Sequence, residues 1–149
     1  MSDLQKLYES IGNERYADAI AEIAPYFGTI SPKFKELRSG RCILETPFTR
    51  SVQNHLGSLH AIAMCNGAEL AAGLTTDVSI PPDRRWIPVE MNVRYLEKAK
   101  TDVTVTCDAG NVDWTALGDI SVPVRISDTA GTTVCQVSIT MRITAKKTQ

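Results

Sequence analysis

No stretch of this sequence approaches the ~20 consecutive apolar residues that a membrane-crossing helix needs. Its acidic start lacks the basic-then-apolar pattern of a secretory leader, so a cytoplasmic location is expected. There is no basic run: 16 Lys+Arg stand against 17 Asp+Glu, for a net charge of −1. That leaves little to neutralise a phosphate backbone and excludes a duplex nucleic-acid binder. The four cysteines, Cys42, Cys65, Cys107 and Cys135, lie 23, 42 and 28 residues apart without a C-x-x-C pair. They read as reduced core residues. The two histidines, His55 and His60, are five positions apart. That is about 140° round a helix, against the i, i+4 pairing of helical metal ligands, so no metal site is expected. G-x-S-x-G, P-loop and G-x-G-x-x-G patterns are absent, which removes a hydrolase elbow, a nucleotide cradle and a dinucleotide site. No internal repeat or low-complexity segment occurs.

What remains is a chain of 149 residues, 43% hydrophobic, long enough to bury a full core as one domain. Leu4, Leu7, Tyr8 and Ile11 follow helical spacing up to Gly12. Asn13 is placed to cap a second helix with the stripe Tyr16, Ala19, Ile20 and Ile23, closed by Pro25. Pro25 to Pro32 reads as a loop whose Tyr26, Phe27 and Ile30 pack onto the body. Lys33–Arg38 and Arg41–Thr46 read as a hairpin across Ser39-Gly40. From His60 to Leu74 there is no Lys or Arg and one acid, Glu69, so this helix is apolar nearly all round and should be buried. After Pro81-Pro82-Asp83 the period becomes two. Val89, Met91, Val93 and Tyr95 form one strand, and Val103, Val105 and Cys107 the next. Ile120 to Ile126 follows, with Pro123 suggesting an edge or a bulge, and then Val137 to Ile143. The order implies an α+β domain over 1–149, with a helical extension at 1–32 and a core over 33–149 in which a sheet wraps a central helix.

Glu69 is the first candidate for chemistry, because an ionised carboxylate in an apolar helix must be paired, hydrogen-bonded or put to use. Pairing with Arg41, Arg50 or Arg94 is the structural alternative. The second candidate is the polar cluster Asn54-His55-Leu56-Gly57-Ser58-Leu59-His60, at a helix start where free backbone N–H groups can hold an oxyanion. His60 and Glu69 are nine positions apart, so they face opposite sides of one helix. A two-fold dimer would bring the helix start of one copy to Glu69 of the other. Arg84, Arg85, Arg94, Lys98 and Lys100 form a loose basic cluster, either a solvated face or a landing site for coenzyme A phosphates.

Asn54, Gly57 and His60, with Glu69 fifteen positions after Asn54, resemble the signature of the hotdog-fold thioesterase superfamily, especially its phenylacetate-degradation (PaaI) type. Val89-Glu90-Met91-Asn92-Val93-Arg94-Tyr95-Leu96-Glu97-Lys98-Ala99 resembles that family's next strand and its exit. The likeness covers roughly 40 to 145 and is closer still to a branch with an N-terminal extension. It implies a curved antiparallel sheet around a long central helix, assembled as a homodimer or a dimer of dimers. The activity it implies is hydrolysis of an acyl-CoA thioester, with no cofactor beyond the coenzyme A of the substrate. In that scheme Ala61 donates its amide, His60 and Asn54 shape the site, and Glu69 acts as base or nucleophile. His55, Gly57, Ile62, Met64 and Leu59 would line the substrate, and Arg84, Arg85 and Arg94 would meet its phosphates. Two positions depart from the pattern: Ala61-Ile62 replaces Gly-Gly, and Pro88 replaces a Ser of some relatives. The alternatives are a non-catalytic acyl-CoA-binding protein, and a 3-hydroxyacyl dehydratase using His55 and Glu69, whose family's Pro-Gly is replaced here by Ala63-Met64.

Overall fold

The computed structural model describes residues 1–148 of the chain. Six antiparallel strands, β1 Lys33–Arg38, β2 Arg41–Thr46, β3 Arg84–Tyr95, β4 Val103–Asp108, β5 Gly118–Asp128 and β6 Thr133–Ala145, form one sheet. Their spatial order is β1-β2-β4-β5-β6-β3. The sheet curves around the helix α4, Ala61–Ser79, as the alternation of the sequence requires. Leu44, Val105, Val122, Ile126, Ile139 and Met141 point inward and are fully buried. Each such side chain is worth about 1.5–3 kcal/mol in transfer from water.

α4 carries the other half of the core. Met64, Gly67, Ala68, Ala71 and Leu74 are buried, and small side chains let strands approach: a Cβ on Gly67 would stand 3.2 Å from Val105. The helix runs five residues past the Leu74 at which the apolar pattern fades. Thr75 and Thr76 are buried there because each hydroxyl donates to the carbonyl four residues back, Ala71 at 2.8 Å and Ala72 at 2.7 Å. No helix among the described residues is long and apolar enough to cross a membrane.

The hairpin β1–β2 turns at Ser39-Gly40 as expected, in register Arg38↔Arg41. Gly40 has φ 75°, and a Cβ there would meet the Gly110 backbone at 3.3 Å. Its amide donates to Ser79 Oγ at 2.8 Å, and its carbonyl accepts from Ala109 at 2.8 Å. Pro123 sits neither at an edge strand nor at a bulge. β5 is interior, but the β4 ladder ends at Val124, so no partner there needs the missing N–H.

The N-terminal helices are α1 Asp3–Ile11, α2 Asn13–Ile23 and the single turn α3 Pro25–Gly28. Three expectations change here. Asn13 lies inside α2, and its side chain accepts from Tyr8 and donates to the Lys35 carbonyl, tying the helices to β1 instead of capping. Pro25 opens α3 as its first residue, a position that needs no N–H, where a loop was expected. Tyr16 and Ile20 are buried, but Ile23 and Tyr26 are more than 60% exposed because the chain turns away after Ala24. All four cysteines are free, yet Cys65 is only half-buried, where a fully buried residue was expected.

Candidate active site

The segment before α4 is a rigid turn. Asn54 donates its backbone N–H to the Ser58 carbonyl, and its Oδ1 accepts from the amides of Leu56 at 2.9 Å and Ser58 at 3.1 Å. Gly57 has φ 74°, a left-handed conformation that costs a side-chain-bearing residue energy. Below the turn, His60 N–H donates to the Val52 carbonyl at 2.7 Å and Leu59 N–H to the Ala99 carbonyl at 2.8 Å. His60 is the N-cap of α4, its Nδ1 accepting from the Ile62 amide at 3.0 Å. That bond leaves the ring proton on Nε2, at an exposed side chain.

A helix start has four N–H groups without intrahelical partners. Here Ile62 is served by the His60 ring, and Ala63 and Met64 both donate to the His60 carbonyl. The Ala61 amide alone has no acceptor among the described residues. A donor without an acceptor at a braced turn, at the positive end of a 19-residue helix, is suited to a developing oxyanion.

Glu69 lies two turns further on, half-buried, on the stripe of α4 that also carries Ile62 and Cys65. It has no ion pair and no hydrogen bond among the described residues. The structural alternative is not met in this protomer: Arg41 is held by Glu36 and Asp108, with Nη1 2.6 Å from Asp108 Oδ2. Three contacts that the sequence did not predict lie along α4 on either side of Glu69. One turn before it, Cys65 Sγ is 3.3 Å from Tyr95 Oη, and this contact with burial pushes the Tyr95 phenol up to about 12. Beside it, Asn66 is buried and donates Nδ2 to the Tyr26 carbonyl and Thr29 Oγ1 at 3.2 and 3.3 Å, fixing α3 against α4. One turn after it, the edge of Trp86 lies on Gly73, with Nε1 bonded to Asp77 Oδ2 at 3.1 Å. Only tertiary neighbours reveal these; no spacing rule links residues 26, 66 and 95.

The other expected residues are distributed. Asn54 spends its carbonyl oxygen on the turn, so only Nδ2 is left for a ligand. His55 is exposed in the turn, and Ile62 is 54% exposed beside the Ala61 amide. Met64 and Leu59 belong to the core. Arg84 pairs with Asp83 and Arg85 donates to Thr144 Oγ1 at one end of β3, whereas Arg94 projects from the outer face of the sheet, away from Glu69. Pro88 borders a bulge in β3 that leaves Val89 without a partner. Ala61 and Glu69 are eight positions apart, which places them about 12 Å apart along the helix. One protomer cannot bring both to one carbonyl.

A family model described as a domain of unknown function (DUF4442) matches residues 12–143. No curated protein matches the chain. A crystal structure from a genomics programme is 43% identical, covering 96% of this chain and 97% of its own, with a TM-score of 0.89. A Pseudomonas aeruginosa protein of unknown function, described as a probable thioesterase, is 20% identical over 90% of this chain and 94% of its own, TM-score 0.77. The zebrafish thioesterase superfamily member 2 is 19% identical over 87% and 94%, TM-score 0.74. The last two likenesses speak for the fold.

Proposed function

The chain belongs to the DUF4442 family and has the hotdog fold of the thioesterase superfamily, and from that premise we propose that it hydrolyses acyl-CoA thioesters at a site shared by two copies. The observation that carries the reading is Glu69, a half-buried carboxylate that the protomer provides with no partner. A twelve-residue edge strand, β3, supports the pairing of copies: among the described residues only β6 pairs with it, and Ile87 and Val89 along it are exposed. Such an unprotected edge joins readily to a second one.

In the shared site the Ala61 amide of one copy holds the thioester carbonyl and Glu69 of the other takes a proton from water. The water oxygen bonds to the carbonyl carbon, and the oxyanion forms against the Ala61 N–H. Collapse breaks the C–S bond, the leaving thiolate takes the proton back from Glu69, and the carboxylic acid gives up its remaining proton to solvent. The products are a carboxylate and the coenzyme A thiol. His60 holds the helix start in place through its cap, and Ile62 borders the acyl group.

Thiol release from short, medium, long and aromatic acyl-CoAs, with wild type and Glu69→Gln, tests this. A general base contributes about 10²–10⁴-fold, so the variant should lose that much of kcat with an unchanged melting temperature. Equal turnover in the variant refutes the role of Glu69. The exposed Ile62 beside the amide favours a second reading, a non-catalytic acyl-CoA-binding protein. It predicts a raised melting temperature with acyl-CoA and an intact thioester.

A further inference from the structure

The outer face of the sheet treats its arginines in two ways. Arg41 stands opposite Asp108 and bonds it, and Arg142 stands opposite Asp119 and grips it at 2.8 and 3.0 Å. Arg94 and Arg125 instead flank a neutral amide. In register Arg125 opposes Gln136 from β5, Arg94 opposes it from β3, and Thr106 lies beyond Arg125 on β4. Neither guanidinium has a carboxylate within ion-pair distance among the described residues. Asp108, the one acid near them, is engaged by Arg41.

Neighbouring strands are about 4.8 Å apart, so the two arginines start about 10 Å apart and are long enough to converge on one anion. The adjacent row, Asn92, Ser138 and Pro123, has short side chains, and Ser138 is held by a 2.6 Å bond with Ser121 on the same face. The step between the rows leaves a groove of about 480 Å³, within the range of about 300–1,000 Å³ typical of small-ligand sites. Guanidinium forks match phosphate oxygens bidentately. The amides of Asn92 and Gln136 and the Ser138 and Thr106 hydroxyls supply neutral donors and acceptors alongside.

We infer that this groove binds a phosphate-bearing small molecule, with Arg94 and Arg125 on the phosphate and the amides on its polar remainder. The site is distinct from Glu69, because Val93 and Tyr95 face the helix while Arg94 faces outward from the same strand. Binding in the groove does not depend on the hydrolase reading; only the choice between the two sources of that phosphate rests on it. Concavity favours a small ligand over a flat acidic surface. Two sources share this chemistry, a free nucleotide and the nucleotide end of coenzyme A.

Calorimetric titration of ADP, AMP, inorganic phosphate and uncharged adenosine into wild type, Arg94→Gln, Arg125→Gln, the double variant and Arg15→Gln tests the inference. ADP should bind and adenosine should not. Each groove substitution should raise Kd about tenfold, the loss of one charge-assisted contact, and Arg15→Gln on α2 should leave it unchanged. Binding should weaken as salt rises. If saturating ADP raises KM for an acyl-CoA without changing kcat, the nucleotide end of the substrate is the ligand. If direct binding occurs without competition, a free nucleotide is. Circular dichroism of the variants establishes that they fold. No binding of ADP at about 5 mM overturns the inference, as does equal binding of adenosine or undiminished binding by the double variant. So does light scattering showing that copies associate through this face and that Arg125→Glu separates them without any nucleotide bound.

Discussion

Gly73→Ala sets two magnitudes against each other at a position one turn from Glu69. Inside a helix, Ala is favoured over Gly by about 0.8–1.0 kcal/mol, and an exposed helical glycine would simply gain that. At Gly73 the new Cβ would stand 2.9 Å from Trp86 Cη2, with Cζ3 and Cζ2 at 3.6 and 3.7 Å. The ring must retreat, yet it is held by its Nε1 bond to Asp77 and by the β3–β6 ladder, where Trp86 opposes Ile143. Overpacking of this kind costs about 1–3 kcal/mol, and a strained hydrogen bond about 1 more. The net result should be destabilisation by about 1–3 kcal/mol, a fall in Tm of about 3–9 °C for a chain of this size. In a Trp86→Phe background the ring no longer reaches the helix, and the same substitution should stabilise by a few tenths of a kcal/mol. Urea unfolding of the four proteins at one fixed concentration gives the coupling as a double-mutant cycle. A rise in Tm for Gly73→Ala in wild type, or zero coupling, would refute the packing argument.

At alkaline pH, burial pushes the Cys107 and Cys135 thiols up to about 11, and Tyr95 is raised to about 12. Each folded thiol pKa lies above its unfolded value, so the stability it contributes is complete below about pH 9 and is lost as pH rises to about 11, by at most ~1.4 kcal/mol per pH unit and thiol, while the exposed Tyr95 phenol adds little because solvent screens it. Cys107→Ala should flatten that decline in the urea midpoint, and an unchanged slope would sink the assignment. Of the four thiols only Cys65 is not buried, so it should label first in the native protein. If the substrate lies along the Glu69 stripe, acyl-CoA should slow that labelling; indifference would place the substrate elsewhere. His60→Ala removes the cap on Ile62 and should cost about 1 kcal/mol, whereas His60→Asn should restore most of it. Equal loss in both would show that the ring does something other than cap.

The strands were legible because most of their inward residues alternate, although the bulge that turns Val89 outward was not, and α4 because a helix lacking Lys and Arg has nowhere but the interior to go. Glu69 and the turn from Asn54 to His60 were legible for the same reason, since polar groups beside an apolar helix need an explanation. Asn13 and Ile23 were misread because helix caps and apolar stripes are local rules. The Lys35 carbonyl that captures Asn13, and the turn that exposes Ile23, come from the placement of α2 on the sheet. Arg84 and Arg85 stand at one end of β3 and Arg94 at the other, as their spacing along one strand suggested, but only the packing of β3 on α4 shows that Arg94 faces away from Glu69. Pro123 illustrates the same limit, because a strand's neighbour can end halfway along it, and the sequence of that strand does not record where.

The clamped Gly40 bears on where this chain tolerates added sequence. Short hairpin turns are the usual choice for grafting an epitope or opening a chain for circular permutation. At Ser39-Gly40 the turn is bonded to the end of α4 and to Ala109, so a graft there would pry the helix from the sheet. The turn at Asp128–Gly131 is held mainly by Asp128, through its bonds to the Ala130 and Thr132 amides; one bond leaves it, from the Thr129 amide to Thr101 Oγ1 at 3.2 Å, and among the described residues nothing lies within 4 Å of a Cβ at Gly131. That turn, and not the tighter one, is the place to attach a reporter or to relocate the termini.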